Sequence, residues 1–196
     1  MKIEFEATFA DINISEVREK LKELGAKLIR PEALMRRVNF YPPIDDDTGW
    51  MRVRDEGDRI TLSYKRFLGY KEGSDQMDNQ QEIFLEINDF DQGVQLLEVC
   101  GARKKSYQET KREDWKYKGL EISIDTWPGL EPFVELEGSD EKTVKQVAEE
   151  LGFDYSEAIF GPVGLIYEKK LGIPPQVINN ETPEITFESP PQKYTK

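Results

Sequence analysis

The side chains in this chain that could do chemistry are charged, and they alternate. Glu4 and Glu6 are spaced by two, as are Arg52 and Arg54, and Glu135 and Glu137. Lys65, Glu82 and Asp125 sit in segments of the same alternating kind. Arg52, Arg54, Lys65, and with them Arg37 and Arg112, could surround a polyanion. Guanidinium forks match pairs of phosphate oxygens, and an ammonium adds a point charge. Glu4, Glu6, Asp125, Glu135 and Glu137 could hold a hard cation, because Mg²⁺ and Mn²⁺ prefer oxygen ligands. Carboxylates and guanidinium groups in one cavity fit a metal-bound phosphate chain better than either set fits a ligand alone.

Composition narrows the chemistry further. The chain has 196 residues and no histidine, and Cys100 is its only cysteine. Serine–histidine and cysteine–histidine catalysis are excluded, and so are histidine-ligated zinc, an internal disulfide and any multi-cysteine metal site. Acid–base work must come from carboxylates, lysine, tyrosine or metal-bound water. Cys100 ends an apolar helical stretch and is expected to be a buried structural thiol. The formal net charge of -12 argues against general nucleic-acid binding. No apolar run approaches a membrane span, and the opening Met1-Lys2-Ile3-Glu4-Phe5-Glu6 reads as a strand instead of a signal segment. A cytoplasmic protein without a membrane partner is expected.

These residues need strands to position them. Ile3, Phe5, Ala7 and Phe9 share one face, and Glu4, Glu6 and Thr8 the other. Met51 and Val53 oppose Arg52 and Arg54; Leu62 and Tyr64 oppose Thr61, Ser63 and Lys65. Ile83, Leu85 and Ile87 oppose Glu82, Phe84 and Glu86. Ile122 and Ile124 oppose Glu121, Ser123 and Asp125, and Val134 and Leu136 oppose Glu135 and Glu137. Helices are expected from a Ser15 cap to Gly25, from Asp89 with Gln92 to Gly101, from Ser139 to Gly152, and over 162–171. A strand, a helix and a Gly-Ala stop recur at Gly25-Ala26 and Gly101-Ala102, a weak internal repeat. Asp45 to Gly49 reads as a turn and Gly69 to Gln80 as a long polar loop. Residues 173–196 read as a Pro-rich tail with little regular structure beyond a short edge strand near Ile185-Thr186-Phe187.

One alternating strand says little, because an antiparallel sheet can show one polar face to water. Six such strands say more. The helices need apolar sheet faces to pack on, which turns the charged faces the other way. The expected fold is therefore α+β: a closed or nearly closed antiparallel β-barrel with helices outside and a charged lumen. Buried charges need partners, water or ligands.

The ordered motifs resemble the CYTH family of triphosphate tunnel enzymes. They are Glu4-Phe5-Glu6; Arg52-Val53-Arg54; Tyr64-Lys65; Glu82-Ile83-Phe84-Leu85-Glu86; Lys111-Arg112-Glu113-Asp114-Trp115; and the run from Ile124-Asp125-Thr126-Trp127-Pro128-Gly129 to Glu135-Leu136-Glu137-Gly138. The resemblance covers about residues 1–170 and sets a domain at 1–172 followed by the tail 173–196. It implies a metal-dependent triphosphatase acting on tripolyphosphate or an organic triphosphate, with Mg²⁺ or Mn²⁺. It implies metal binding by Glu4, Glu6, Asp125, Glu135 and Glu137, with Glu4, Glu6, Glu135 and Glu137 also catalytic. Phosphate would be held by Arg52, Arg54, Lys65 and Arg112, with Arg37 added by face parity and Glu82 in support.

The family also includes class IV adenylate cyclases, so conversion of ATP to cyclic AMP and pyrophosphate is an alternative. For an adenine ring only Phe84, Tyr41 and Trp50 offer themselves. A non-catalytic binder of nucleotide or polyphosphate is a third reading, because two family lysines are replaced. Thr8 stands two residues after the second glutamate, and Thr110 stands two before Arg112. Phe84 stands where the family often has glutamate. Monomer and homodimer both remain open.

Overall fold

The computed structural model describes residues 5–45, 48–67 and 80–194. Its order is β1 (Phe5–Ala10), α1 (Ile14–Glu23), β2 (Lys27–Tyr41), β3 (Gly49–Asp55), β4 (Ile60–Phe67), β5 (Gln80–Ile87), α2 (Phe90–Val99), β6 (Arg103–Tyr117), β7 (Leu120–Thr126), β8 (Phe133–Gly138), α3 (Glu141–Leu151), α4 (Gly164–Leu171), α5 (Pro175–Asn180) and β9 (Glu184–Ile185). The fold is α+β, as expected. Two compact units divide it: residues 5–33, 110–179 and 190–194 form the first, and 34–109 and 180–189 the second. β2 and β6 each run through both.

In the first unit, β1 pairs antiparallel with β8, β8 with β7, and β7 with β6. One face of these strands carries Ala7, Phe9, Ile122, Ile124, Val134, Leu136 and Trp115, all buried. Helices α1 and α3 cover it with Val17, Leu21, Val144, Val147 and Leu151. These helices are amphipathic because their apolar residues recur at three and four positions. The register is held by this burial, since a one-residue slip would turn every apolar side chain to the charged face.

The second unit pairs β2 with β3, β3 with β4 and β4 with β5, all antiparallel. Its core holds Val38, Phe40, Val53, Phe90, Leu97 and Ala102. Gly93 lets α2 lie close, because a Cβ there would stand 2.4 Å from Ile87 Cδ1 and 3.3 Å from Val53 Cγ1. β9 adds a parallel pairing with β6, Tyr107 to Glu184, so the strands are not all antiparallel.

The internal repeat is real in local geometry. Gly25 and Gly101 both have positive φ, and the bonds behind them match. Ala26 N–H donates to Leu21 O and Ala102 N–H to Leu97 O, while Gly25 N–H donates to Lys22 O and Gly101 N–H to Glu98 O. This six-to-one closure is the Schellman stop. Each copy then launches a 15-residue strand, β2 or β6.

Several expectations are corrected. The barrel is not closed by strand pairing: β1 and β5 end the pairing paths, and no pairing among the described residues joins them. The outer edge of β1 is taken locally instead, where Thr8 and Ile159 exchange backbone bonds of 3.1 and 2.9 Å. Helix α1 is capped by Asn13, not Ser15, and α3 by Asp140, not Ser139. Asp89 caps α2 as expected. Cys100 is exposed, not buried. Ile83 and Leu85 are 68% and 61% exposed; α2 packs on β3 and meets β5 at its end, at Ile87. The tail is more ordered than expected: it forms α5 and β9 and buries Ile173, Ile178 and Ile185. Of the expected turn, Asp46 and Asp47 lie outside the described residues, as do residues 69–79 of the expected loop. No helix among the described residues is long and apolar enough to cross a membrane.

The turn between β7 and β8 is held from behind. Tyr167 donates its hydroxyl to Pro128 O at 2.7 Å and meets Trp127 edge-on. Gly129 sits at φ +80°, and a Cβ there would stand 2.6 Å from Pro191 O in the tail. Gly129→Ala is therefore expected to lower stability by about 1–3 kcal/mol in urea unfolding, through backbone strain and loss of this contact.

Candidate functional site

The charged face of the first unit gathers carboxylates around one arginine. Arg112 on β6 stands opposite Asp125 on β7. Its Nε donates to Asp125 Oδ1 at 2.8 Å, and its Nη2 donates to Asp125 Oδ2 at 2.6 Å and to Glu135 Oε2 at 2.7 Å. Asp125 is fully buried. On the same face Glu6 of β1 lies opposite Glu137 of β8, and Thr8 opposite Glu135. Glu121 of β7 adds a further carboxylate opposite Glu137.

The crowding of negative charge shows in the ionisation of these groups. Burial and the Asp125 charge push the Glu135 carboxyl up to about 8, despite the opposing pull of Arg112. Burial also raises Glu6; Arg112 pulls it back and Asp125 adds to the rise. For Arg112, burial works against the charge, but Asp125 and Glu135 outweigh it and hold the guanidinium above its ordinary value. Desolvation and like charge shift carboxylates in this direction.

The second unit carries the opposite sign on its charged face. Arg37 on β2 lies directly opposite Arg54 on β3, and Asn39 opposite Arg52. Ser63 and Lys65 continue the face on β4, opposite Arg52 and Trp50. Like charges directly across a strand pair repel. Lys65 is lowered by burial and by the Arg52 charge, while Glu82, 3.1 Å away, pulls it back. Arg54 is braced by the buried Glu56 carboxylate at 3.3 Å and touches Met35 Sδ at 3.2 Å.

The structure thus sorts the expected residues into two sets. Glu6, Arg112, Asp125, Glu135 and Glu137 share one face in the first unit. Arg37, Arg52, Arg54, Lys65 and Glu82 share one face in the second. Glu4 lies outside the described residues. Arg112, expected among phosphate ligands, is committed to carboxylates. Phe84 is exposed on β5.

The sequence reading missed three charged groups. Glu56 holds both Arg54 and Arg59, the latter at 2.6 Å. Asp114 accepts from Ser123 Oγ and pairs with Arg30 at 2.9 Å. Glu113, on the opposite face, binds Arg18 through both oxygens and accepts from Trp115 Nε1. Extending the period of two by one step, from Arg54 to Glu56 and from Arg112 to Asp114, would have found the first two.

For a metal, the donor chemistry of the first unit fits a hard divalent cation: several carboxylate oxygens share a face with excess negative charge. Among the described residues, however, no group of three or more possible ligands is drawn together to hold one. Arg112 and the Glu135 proton meet part of that charge.

With this geometry in view, comparison with known proteins is informative. The CYTH domain model matches residues 3–160. The chain belongs to the CYTH family. It is 30% identical over 144 residues to a Methanocaldococcus jannaschii protein provisionally named an adenylate cyclase, a match covering 71% of this chain and 77% of the other. A Vibrio parahaemolyticus structure, also provisionally named an adenylate cyclase, superposes with a TM-score of 0.67 at 13% identity, covering 85% and 98% of the two chains. A Hippeastrum structure, described as an adenylyl cyclase candidate with a dominant triphosphatase activity, gives 0.50 at 15% identity over 88% and 96%. These two likenesses establish the fold alone.

The Glu135 shift has a direct consequence. The unfolded chain releases this proton near the ordinary 4.5, whereas the folded protein keeps it to about 8. Between these values the native state binds more protons, so stability falls as pH rises. Metal-free protein should lose thermal stability across this window. Glu135→Gln should flatten that dependence and raise the melting temperature at pH 8. An unchanged slope in Glu135→Gln would count against the charge crowding described above.

Proposed function

We propose that this protein is a divalent-metal-dependent triphosphatase that binds a tripolyphosphate or organic triphosphate on its charged strand faces. The carrying observation is the pair of unbalanced faces: an anionic one, where burial and the Asp125 charge raise Glu135, and a cationic one, where burial and the Arg52 charge lower Lys65. A divalent cation supplies the charge that the anionic face is short of, and phosphate oxygens the charge that the cationic face is short of. Family membership supports the same reading.

In this reading Arg52, Arg54, Lys65 and Arg37 bind phosphate oxygens, and Glu82 orients Lys65. Arg112, held by both Asp125 and Glu135 without ligand, would be released to phosphate when a metal takes those carboxylates. Glu4, Glu6, Asp125, Glu135 and Glu137 would hold Mg²⁺ or Mn²⁺. When bound, the metal supplies charge neutralisation on the phosphate oxygens. Glu6, Glu135 and Glu137 also orient the attacking water, while the arginines stabilise charge on the leaving phosphate. We place these roles in a CYTH-like domain at 1–172, followed by the tail 173–196. We assign the protein to the cytoplasm, in line with a lone cysteine that can form no internal disulfide.

A cyclase is the second reading, favoured by the name of the Methanocaldococcus relative. It differs in the attacking atom: the ribose 3′-oxygen displaces pyrophosphate at the α-phosphorus.

The test is a panel of tripolyphosphate, ATP and thiamine triphosphate with Mg²⁺ or Mn²⁺, following every phosphorus product. Orthophosphate release is expected; cyclic AMP with pyrophosphate would select the cyclase, and silence on all substrates would defeat both. Arg52→Ala should reduce kcat/KM by roughly ten- to a hundred-fold, the worth of a charge-assisted hydrogen bond. If the protein only binds its ligand, turnover is absent, and Thr8→Lys should tighten polyphosphate binding, measured by calorimetry. Unchanged affinity would remove the binder reading.

A further inference from the structure

A cavity of about 420 Å³ opens in the second unit, lined in part by Tyr41, Asp45, Trp50, Arg103, Lys105 and Asn180. It adjoins the cationic face through the strands themselves. Trp50 is two residues before Arg52 on β3, one same-face step of roughly 7 Å. Phe40 pairs with Met51, so the next rung brings Tyr41 beside Trp50. Tyr41 likewise stands two residues beyond Asn39, which itself lies opposite Arg52.

The lining is chemically distinct from the phosphate face. Trp50 is half-buried and offers an indole surface. The Arg103 guanidinium lies 5.1 Å from the Tyr41 ring centre, and the Lys105 ammonium 5.2 Å. Asn180 brings an amide that can both donate and accept. Two cations against the single Asp45 carboxylate leave the described lining positive. A flat aromatic ring stacks on indole and on guanidinium planes, and ring nitrogens and oxygens accept from arginine and lysine. A ring that carries its own positive charge is repelled there.

We propose that this cavity is the subsite for the base of a nucleoside triphosphate, and that it disfavours the cationic thiamine ester. The proposal rests on the triphosphate reading above and names its organic half. Trp50 is the stacking platform, and Arg103, Lys105 and Asn180 face the base edge. An inorganic tripolyphosphate has nothing to place there.

The experiment measures binding of ATP, tripolyphosphate and thiamine triphosphate, each with Mg²⁺, to the full chain. Wild type is compared with Trp50→Leu and with Lys105→Gln as a second surface variant. Wild type should bind ATP more tightly than thiamine triphosphate. Trp50→Leu should weaken ATP about ten-fold, in line with base stacking on an aromatic side chain, and change tripolyphosphate less than two-fold. Trp115 and Trp127 are buried, so quenching of tryptophan emission by ATP should vanish in Trp50→Leu. Thiamine triphosphate should gain affinity in Lys105→Gln. Equal losses for ATP and tripolyphosphate, or a wild-type preference for thiamine triphosphate, would overturn the subsite while leaving a triphosphate enzyme in place. Failure of the wild type to bind any of the three ligands would overturn the triphosphate reading and the subsite with it.

Discussion

The interaction on which the first unit's chemistry depends is the fork from Arg112 to Asp125 and Glu135. Buried charges are tolerated only when paired with good geometry, and removing one partner costs about 3–5 kcal/mol. Here one guanidinium serves two carboxylates, while Glu6 and Glu137 stand on the same face. The balance remains negative, and burial with the Asp125 charge keeps a proton on Glu135. What forces the charges together is not their mutual attraction. Ile122, Ile124, Val134 and Leu136 must meet α1 and α3 on the other side of the same strands. The hydrophobic effect fixes register, and register fixes which charges meet.

The second unit obeys the same rule with the sign reversed. Val38, Phe40 and Val53 pack under α2, which leaves Arg37, Arg52 and Arg54 on the opposite face. Glu56 and Glu82 offset part of that charge. The two units also share a local plan: a strand, a helix with a Schellman stop, then a long strand. A repeated scaffold therefore presents two different chemistries. The repeat is carried by glycine and apolar spacing, whereas the sign of each face is carried by residues that the packing does not constrain. Such a division lets both units keep an apolar core of the same plan while their charged faces differ in sign.

Face parity was legible in the sequence because a period of two has a single meaning once one face is buried. Glu6, Asp125, Glu135, Arg52 and Lys65 all fall on the faces that alternation assigns. Cap positions were less legible. Asn13 and Ser15, like Ser139 and Asp140, are competing acceptors a residue or two apart, and only the backbone angles choose between them. Closure was not legible at all, because it depends on which distant segment reaches the edge of β1. Ile159 does, and nothing in its neighbourhood alternates strongly enough to announce a strand. The exposure of Ile83 and Leu85 was equally hidden: they alternate with Ile87, yet it is Ile87 that α2 meets. The ordered tail was hidden by its prolines, which suppress helix and strand signals even where Ile178 and Ile185 are buried.

Thr8 ties these threads together. The family resemblance places a lysine at this position, and the register sets position 8 directly opposite Glu135. An ammonium there would supply a fixed countercharge within reach of the carboxylate. A buried hydroxyl cannot. Glu135 is left to Arg112, which is already shared with Asp125, and burial together with the Asp125 charge keeps a proton on it. A proton and a divalent cation compete for the same oxygens. Under the proposed function, threonine at this position therefore keeps the logic of a cation–polyphosphate site. It transfers part of the countercharge from a covalently attached group to an exchangeable one. In such a site the affinity for polyanion depends on pH and on free divalent cation more steeply than it would with a lysine in place.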